Sequence, residues 1–198
     1  MLIKASRIIN LTDARYFAAR EVDFLGFNLE AGTEGYLDPL YMKAIREWVE
    51  GPRIVGEFSR TPAPHIREAA SFFGLDAVQV TSAYAGHLGE LNGLTVILAV
   101  DAGPDELDED FFQKAAPFVA YFLLKIPAAA AWPEQTDRFK KICADYPVLL
   151  ESDAPAEALA TLTEYLKPAG LSLTGGEEEQ VGVKSFDEIE AIFEALGK

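Results

Sequence analysis

The chain has few of the residues that most often hold metals or form covalent intermediates. It contains one cysteine, Cys143, and two histidines, His65 and His87. A single cysteine excludes an internal disulfide, and a cysteine-based zinc site would lack ligands. The two histidines have no potential ligand at close spacing, so we expect them at the surface. The sequence therefore predicts neither a metal nor another cofactor.

Long hydrophobic runs are also missing. The longest apolar run covers residues 115–124, whereas a helix needs about 20 apolar residues to span a bilayer. The first residues, Met1 to Lys4, lack the apolar core of a signal peptide. We expect a cytoplasmic protein that does not insert into membranes.

Positive charge is scarce. The chain has 17 lysines and arginines against 32 aspartates and glutamates, which gives a net charge of −15. Such a charge opposes binding to nucleic acids and to anionic membranes. We predict neither as a partner, and the composition leaves the oligomeric state open.

What the chain does have is the composition and pattern of one globular domain over residues 1–198. Of its 198 residues, 49% are hydrophobic and 25% are charged. Eight short apolar runs are typical of buried strands, at 2–6, 23–29, 53–58, 76–81, 94–100, 118–125, 147–151 and 170–174. Helical stretches alternate with them, which implies a parallel sheet with right-handed crossovers. The count of eight favours a closed (β/α)8 TIM barrel, an α/β fold, over an open doubly wound sheet.

Local signals place several of the helices. Asp38 and Pro39 begin one that carries Leu40, Ile45 and Trp48 on its apolar face. Residues 185–188 form a capping box before the last helix.

In such a barrel, a functional site lies where the strands end. The predicted strand ends are unusually polar, and the candidate residues there are Lys4, Ser6, Glu57, Gln79, Asp101, Lys125, Glu151, Thr174, Gly175 and Gly176. We predict that a small-molecule ligand binds at this mouth. No G-x-G-x-x-G or G-K-[ST] motif follows the first strand, which weakens a nucleotide-binding interpretation.

Lys125 is the most informative of these residues, because it closes an apolar run at 121–124. A partly desolvated lysine has a lowered pKa unless a carboxylate compensates. Glu57, Asp101 or Glu151 is a candidate for that role. Two interpretations follow: a structural ion pair in a polar mouth, or an amine nucleophile or acid–base group.

Several motifs, in order, resemble one enzyme family. They begin with residues 4–14, similar to the opening K-I-C-G-I-T-N-x-x-D-A, and continue with 25–28 (L-G-F-N), 36–39 (Y-L-D-P), 55–58 (V-G-E-F), 75–80 (L-D-A-V-Q-V), 167–173 and 182–184. By these motifs the chain resembles the phosphoribosylanthranilate isomerases, small (β/α)8 barrels of tryptophan biosynthesis. The resemblance covers nearly the whole chain.

The resemblance implies an Amadori rearrangement, an intramolecular isomerisation that uses a cysteine base on the first strand and an aspartic acid at the end of the sixth. At the matching positions this chain has Ser6 and Lys125. A serine without an adjacent base is a poor proton acceptor, and Lys125 reverses the charge of the acid.

The binding residues that the resemblance implies are also substituted. The arginine for the anthranilate carboxylate matches Gly35, and the family histidine matches Thr81. The phosphate-binding A-G-G matches Glu151 to Asp153, whose carboxylates repel a phosphate. Thr174 to Gly176 still resemble the other half of that phosphate site.

Three hypotheses follow for the function. The first is an inactive paralogue that keeps the barrel and serves as a binding module. The second is an active isomerase in which Asp101 or Glu151 replaces the lost acid–base pair. The third is a Schiff-base lyase that uses Lys125, as lysine-dependent aldolases use a lysine on the sixth strand of the same fold.

Overall fold

The protein is a closed barrel of eight parallel strands. A computed structural model describes residues 1–101, 108–126, 132–174, 178–180, 183–184 and 186–197. The barrel strands are β1 Leu2–Ser6, β2 Phe24–Asn28, β3 Arg53–Glu57, β4 Ala77–Thr81, β5 Val96–Asp101, β6 Tyr121–Ile126, β7 Val148–Ser152 and β8 Gly170–Thr174. They pair in chain order, and β8 pairs with β1 to close the barrel. The predicted (β/α)8 architecture is confirmed.

Helices connect the strands. They are α1 Leu11–Ala19, α2 Pro39–Arg46, α3 Ala63–Phe73, α4 Glu109–Ala115, α5 Trp132–Asp145, α6 Ala156–Leu166 and α7 Asp187–Ala195. The connection between β4 and β5 is a 3-10 segment, Ser82–Leu91, where the sequence predicted an ordinary helix. A short antiparallel pair, β9 Glu178–Gln180 and β10 Val183–Lys184, follows β8. No described helix has the length and hydrophobicity that crossing a membrane requires.

Side-chain oxygens cap the N-termini of two of the early helices. The Asn10 side chain accepts a hydrogen bond from the Asp13 N–H at the start of α1, and Asp38 accepts one from the Leu40 N–H at the start of α2. Each bond satisfies an N–H group that has no partner within the helix. These caps fix where the chain turns from strand end to helix, and therefore where the mouth loops lie.

Two of the local predictions need correction. α2 ends at Arg46, so Trp48 lies beyond the helix and is 72% exposed; Leu40 is also exposed, and the buried face carries Met42 and Ile45. The last helix begins at Asp187 with Phe186 at its N-cap and no side-chain cap bond. Ser185, the predicted cap, lies outside the described residues.

The alternation of side chains along each strand divides the core into two parts. Outward-facing residues pack beneath the helices as the main core. A second apolar cluster fills the inside of the barrel, with the members Phe24, Val55, Ala77, Ile97, Ala99, Leu123 and Leu149. At the amino-terminal end of the strands, the Arg53 guanidinium lies 3.9 Å from the centre of the Phe24 ring. At the carboxyl-terminal end, the inward positions become polar.

Candidate functional site

The inward-facing positions at the carboxyl ends of the strands form the mouth of the barrel. Strand register places the candidates side by side: Glu57 pairs with Gln79, Asp101 with Lys125, Lys125 with Glu151, and Ser6 with Thr174. Five of them lie two residues beyond a member of the inner cluster on the same strand and so share the barrel interior: Glu57, Gln79, Asp101, Lys125 and Glu151. Gly175 and Gly176 lie outside the described residues.

Lys4 and Glu57 form a buried ion pair across β2. Lys4 has no exposed surface, Glu57 is 8% exposed, and the Lys4 Nζ lies 2.5 Å from the Glu57 Oε1. Gly26 on β2 lies between them, and a Cβ there would collide with both charged groups. The glycine therefore makes room for an ion pair that the sequence did not predict, because the motif around Gly26 gave only a strand.

A hydrogen-bond chain runs from this pair to Glu151. The Lys4 Nζ donates to the Ser6 Oγ at 2.5 Å, the Ser6 and Ser172 hydroxyls are 2.7 Å apart, and the Ser172 Oγ donates to the Glu151 Oε2 at 2.9 Å. Each hydroxyl has one proton. Because the proton of Ser172 goes to Glu151, the proton of Ser6 must go to Ser172. The chain thus has one direction, from the ammonium of Lys4 to the carboxylate of Glu151.

This direction determines what Ser6 can do chemically. Its oxygen accepts from an ammonium and its proton is donated to Ser172. A hydroxyl so placed has no neighbouring base to take its proton, and the positive charge beside it lowers its basicity. Ser6 therefore stabilises the network and is unsuited to removing a proton from a ligand.

Lys125 differs from Lys4 in its surroundings. It is partly buried, and within the described residues it makes no hydrogen bond or salt bridge. Its register neighbours are Asp101 on β5 and Glu151 on β7, but neither carboxylate lies within 4.0 Å of its ammonium. The ion pair that we considered for Lys125 forms instead at Lys4, which uses Glu57.

Two further candidates have polar groups toward the mouth. The amide Oε1 of Gln79 is buried and has no hydrogen-bond partner in the part of the chain that is described. The Thr174 hydroxyl accepts a long 3.5 Å hydrogen bond from the exposed Arg7 guanidinium. Gln79 lies on β4 and Thr174 on β8, so the two groups are on opposite sides of the mouth.

Glu30 holds two mouth loops together. Its Oε2 accepts hydrogen bonds from the backbone N–H groups of Ser59, Arg60 and Thr61 and from the Thr61 hydroxyl. Burial raises the pKa of the Glu30 carboxyl, but these bonds outweigh burial and bring it below its ordinary value. The structural role of Glu30 depends on loop geometry that the sequence does not show.

Sequence reasoning missed Ser172, the link between Ser6 and Glu151. A signal was present, because Ser172 lies two residues before Thr174 and so faces the same side of β8. On β8, however, the predicted candidates began only at Thr174. In a closed barrel the preceding inward residue also reaches the mouth when its neighbours are small.

The residues considered weak candidates have no place in the mouth. Burial raises the pKa of the Cys143 thiol to about 11, so it is not a thiolate at neutral pH. His87 is exposed beside Glu90, and His65 is exposed on α3. Within the described ranges, no three His, Cys, Asp or Glu side chains come together as a metal site.

Comparison with known proteins supports the resemblance seen in the motifs. No family model matches the chain. A protein of Maridesulfovibrio salexigens named N-(5'-phosphoribosyl)anthranilate isomerase is 23% identical over 206 residues, which cover 100% of this chain and 99% of that protein.

Solved structures of the same name share the fold. Phosphoribosyl anthranilate isomerase from Thermus thermophilus has a TM-score of 0.76 at 24% identity, covering 100% of this chain and 98% of that one. The enzyme from Thermotoga maritima has a TM-score of 0.74 at 20% identity, covering 100% and 99%. The chain is thus similar to phosphoribosylanthranilate isomerases along its whole length, and the substituted positions fall within a shared barrel.

Proposed function

We propose that the protein is a phosphoribosylanthranilate isomerase-like barrel that has lost the isomerase site and binds a small molecule at its mouth. The observation that carries this proposal is the hydrogen bonding of Ser6. Its hydroxyl occupies the position of the family base, but it accepts from Lys4 and donates to Ser172. The partner position holds Lys125, a cation where the family has an acid.

The size of the expected loss supports this choice. General acid and general base steps each contribute about 10²- to 10⁴-fold to a rate. Removing both leaves little of the family reaction. Glu151 and the exposed Asp153 also place carboxylates where the family binds phosphate, and charges 4 Å apart repel by about 4 kcal/mol near a protein surface.

The test is turnover of phosphoribosylanthranilate at high protein concentration, with an active isomerase as the positive control. We expect no turnover above that of a Lys125→Ala variant. Turnover that disappears in Asp101→Asn or Glu151→Gln would mean that the acid–base pair has moved, and that the protein is an active isomerase.

A second candidate function, amine chemistry at Lys125, is favoured by a specific observation. Lys125 is the mouth lysine without an ion pair among the described residues, and it is partly shielded from solvent. Such an amine is suited to forming a Schiff base with a carbonyl compound. Trapping with borohydride and peptide mass spectrometry tests it, and absence of an adduct on Lys125 would contradict it.

A further inference from the structure

We propose that Glu151 is the proton-transfer group for amine chemistry at Lys125, and that Ser172 positions it; this rests on the second candidate function. The sequence offers three strand-end carboxylates as partners of Lys125: Glu57, Asp101 and Glu151. The structure distinguishes them by what each already binds.

Glu57 already forms an ion pair with another lysine. Its Oε1 holds the buried Lys4, and removing it from that role leaves an ammonium without a counter-ion. Asp101 is exposed, and within the described residues it makes no hydrogen bond that fixes its orientation. A solvated carboxylate that no described contact orients is a poor choice for directed proton transfer.

Glu151 has one fixed oxygen and one free oxygen. Its Oε2 accepts from Ser172, and its Oε1 has no hydrogen-bond partner in the described part of the chain. Lys125 is the register neighbour of Glu151, on an adjacent strand about 4.8 Å away. Because its ammonium lies more than 4.0 Å from the carboxylate, protons pass between the two groups through one water. The bond to Ser172 therefore holds one oxygen while the other remains free for proton exchange with a reacting amine.

The direction of the hydrogen-bond chain keeps Ser172 in this role. Ser172 receives the proton of Ser6 and donates its own to Glu151. The chain begins at the Lys4 ammonium, which always donates. With Ser6 donating to it, Ser172 has Glu151 as the acceptor of its proton among the described residues.

The proton balance of Schiff-base formation requires such a group. The Lys125 ammonium gives a proton to Glu151, and the nitrogen electron pair forms a bond to the carbonyl carbon while the oxygen takes the C=O π pair. Glu151 returns the proton to that oxygen. A second proton passes from nitrogen to the hydroxyl in the same way, the C–O bond breaks, water leaves and a protonated imine remains. Both protons end in the water, and Glu151 is regenerated.

The test is reductive labelling with acetaldehyde and cyanoborohydride, with the rate at Lys125 measured against the exposed Lys43 of α2 in the same sample. We expect Lys125 to be labelled faster than Lys43 in the unmodified protein. Glu151→Gln, which keeps the shape and removes the base, should lower the Lys125 to Lys43 ratio about 10²-fold.

Variants of Ser172 separate positioning from folding. Ser172→Ala should lower the ratio by a smaller factor, and Ser172→Thr, which keeps the hydroxyl, should restore it. If Ser172→Ala does not fold, Glu151→Gln decides the question alone. An unchanged ratio in Glu151→Gln would overturn the role of Glu151 and leave amine chemistry at Lys125 standing. Labelling of Lys125 no faster than Lys43 in the unmodified protein would overturn both.

Discussion

The charged residues on the two sides of the barrel mouth differ in how they are bonded. On the side formed by β1, β3, β7 and β8, hydrogen bonds connect Glu57, Lys4, Ser6, Ser172 and Glu151 in one continuous chain. On the side formed by β5 and β6, Asp101 and Lys125 are register neighbours that form no salt bridge within the described residues. We call these the linked side and the open side.

This difference bears on the stability of the barrel. A buried charge must be paired and hydrogen-bonded, because an isolated one is expensive to remove from water. The linked side satisfies that requirement and so contributes to a stable barrel. On the open side, Asp101 is exposed and Lys125 is partly exposed, so water can solvate their charges without a fixed partner among the described residues.

Glu57→Gln on the linked side should have the largest effect. It leaves the Lys4 ammonium buried without a counter-ion, and we expect the free energy of unfolding to fall by about 3–5 kcal/mol. Urea denaturation measures this value. The exposed Glu68→Gln on α3 is the control and should change it by less than about 0.5 kcal/mol. A small effect of Glu57→Gln would show that the pair is dispensable. The double variant Lys4→Met with Glu57→Leu should recover most of the loss.

Gly26→Ala tests the space that the ion pair occupies. The added Cβ meets the Lys4 ammonium and the Glu57 carboxylate, so we expect a loss of about 1–3 kcal/mol in unfolding free energy from overpacking. Gly86→Ala is the matched control, because no atom lies within 4 Å of the Cβ it would add. Equal stabilities of the two variants in thermal unfolding would contradict the crowding at Gly26.

Glu30→Gln tests the carboxylate that joins the mouth loops beside the linked side. The folded pKa of Glu30 is lowered from its ordinary value of 4.5. Its charge therefore stabilises the protein above the unfolded pKa, and this contribution is lost as the pH falls through the folded pKa.

We expect Glu30→Gln to lower the unfolding free energy by about 1–3 kcal/mol at pH 7. The difference from the unmodified protein should shrink below pH 4.5. Denaturation curves at several pH values measure it, with the exposed Glu34→Gln of the same loop as the control. A difference that stays constant with pH would argue against the charge of Glu30 as its cause.

Lys125→Met on the open side should have the smallest effect on stability. Lys125 makes no ion pair within the described residues, so we expect a change in unfolding free energy within about 0.5 kcal/mol. Lys4→Met, the same substitution on the linked side, should cost several kcal/mol by the reasoning given for Glu57. Similar values for the two variants would remove the distinction between the sides.

The sequence alone determined the barrel. Apolar runs of strand length, separated by amphipathic stretches, leave few ways to bury both faces of each strand, and the count of eight selects closure. The sequence also located most of the mouth residues, because inward-facing polar side chains at the carboxyl ends of buried strands lie at the mouth of a barrel. Trp48 was misjudged because helical spacing alone does not show where a helix ends.

Only the tertiary structure decided which charges meet. Lys4 and Glu57 are 53 residues apart, and their contact depends on Gly26 of a third strand having no side chain. Ser6 and Ser172 are 166 residues apart and meet because the last strand closes on the first. Pairing between strands is set by barrel register, a property of the whole sheet, and no local pattern encodes it. For that reason the sequence located the mouth, and only the fold shows that Lys4 pairs with Glu57 while Lys125 has no ion pair among the described residues.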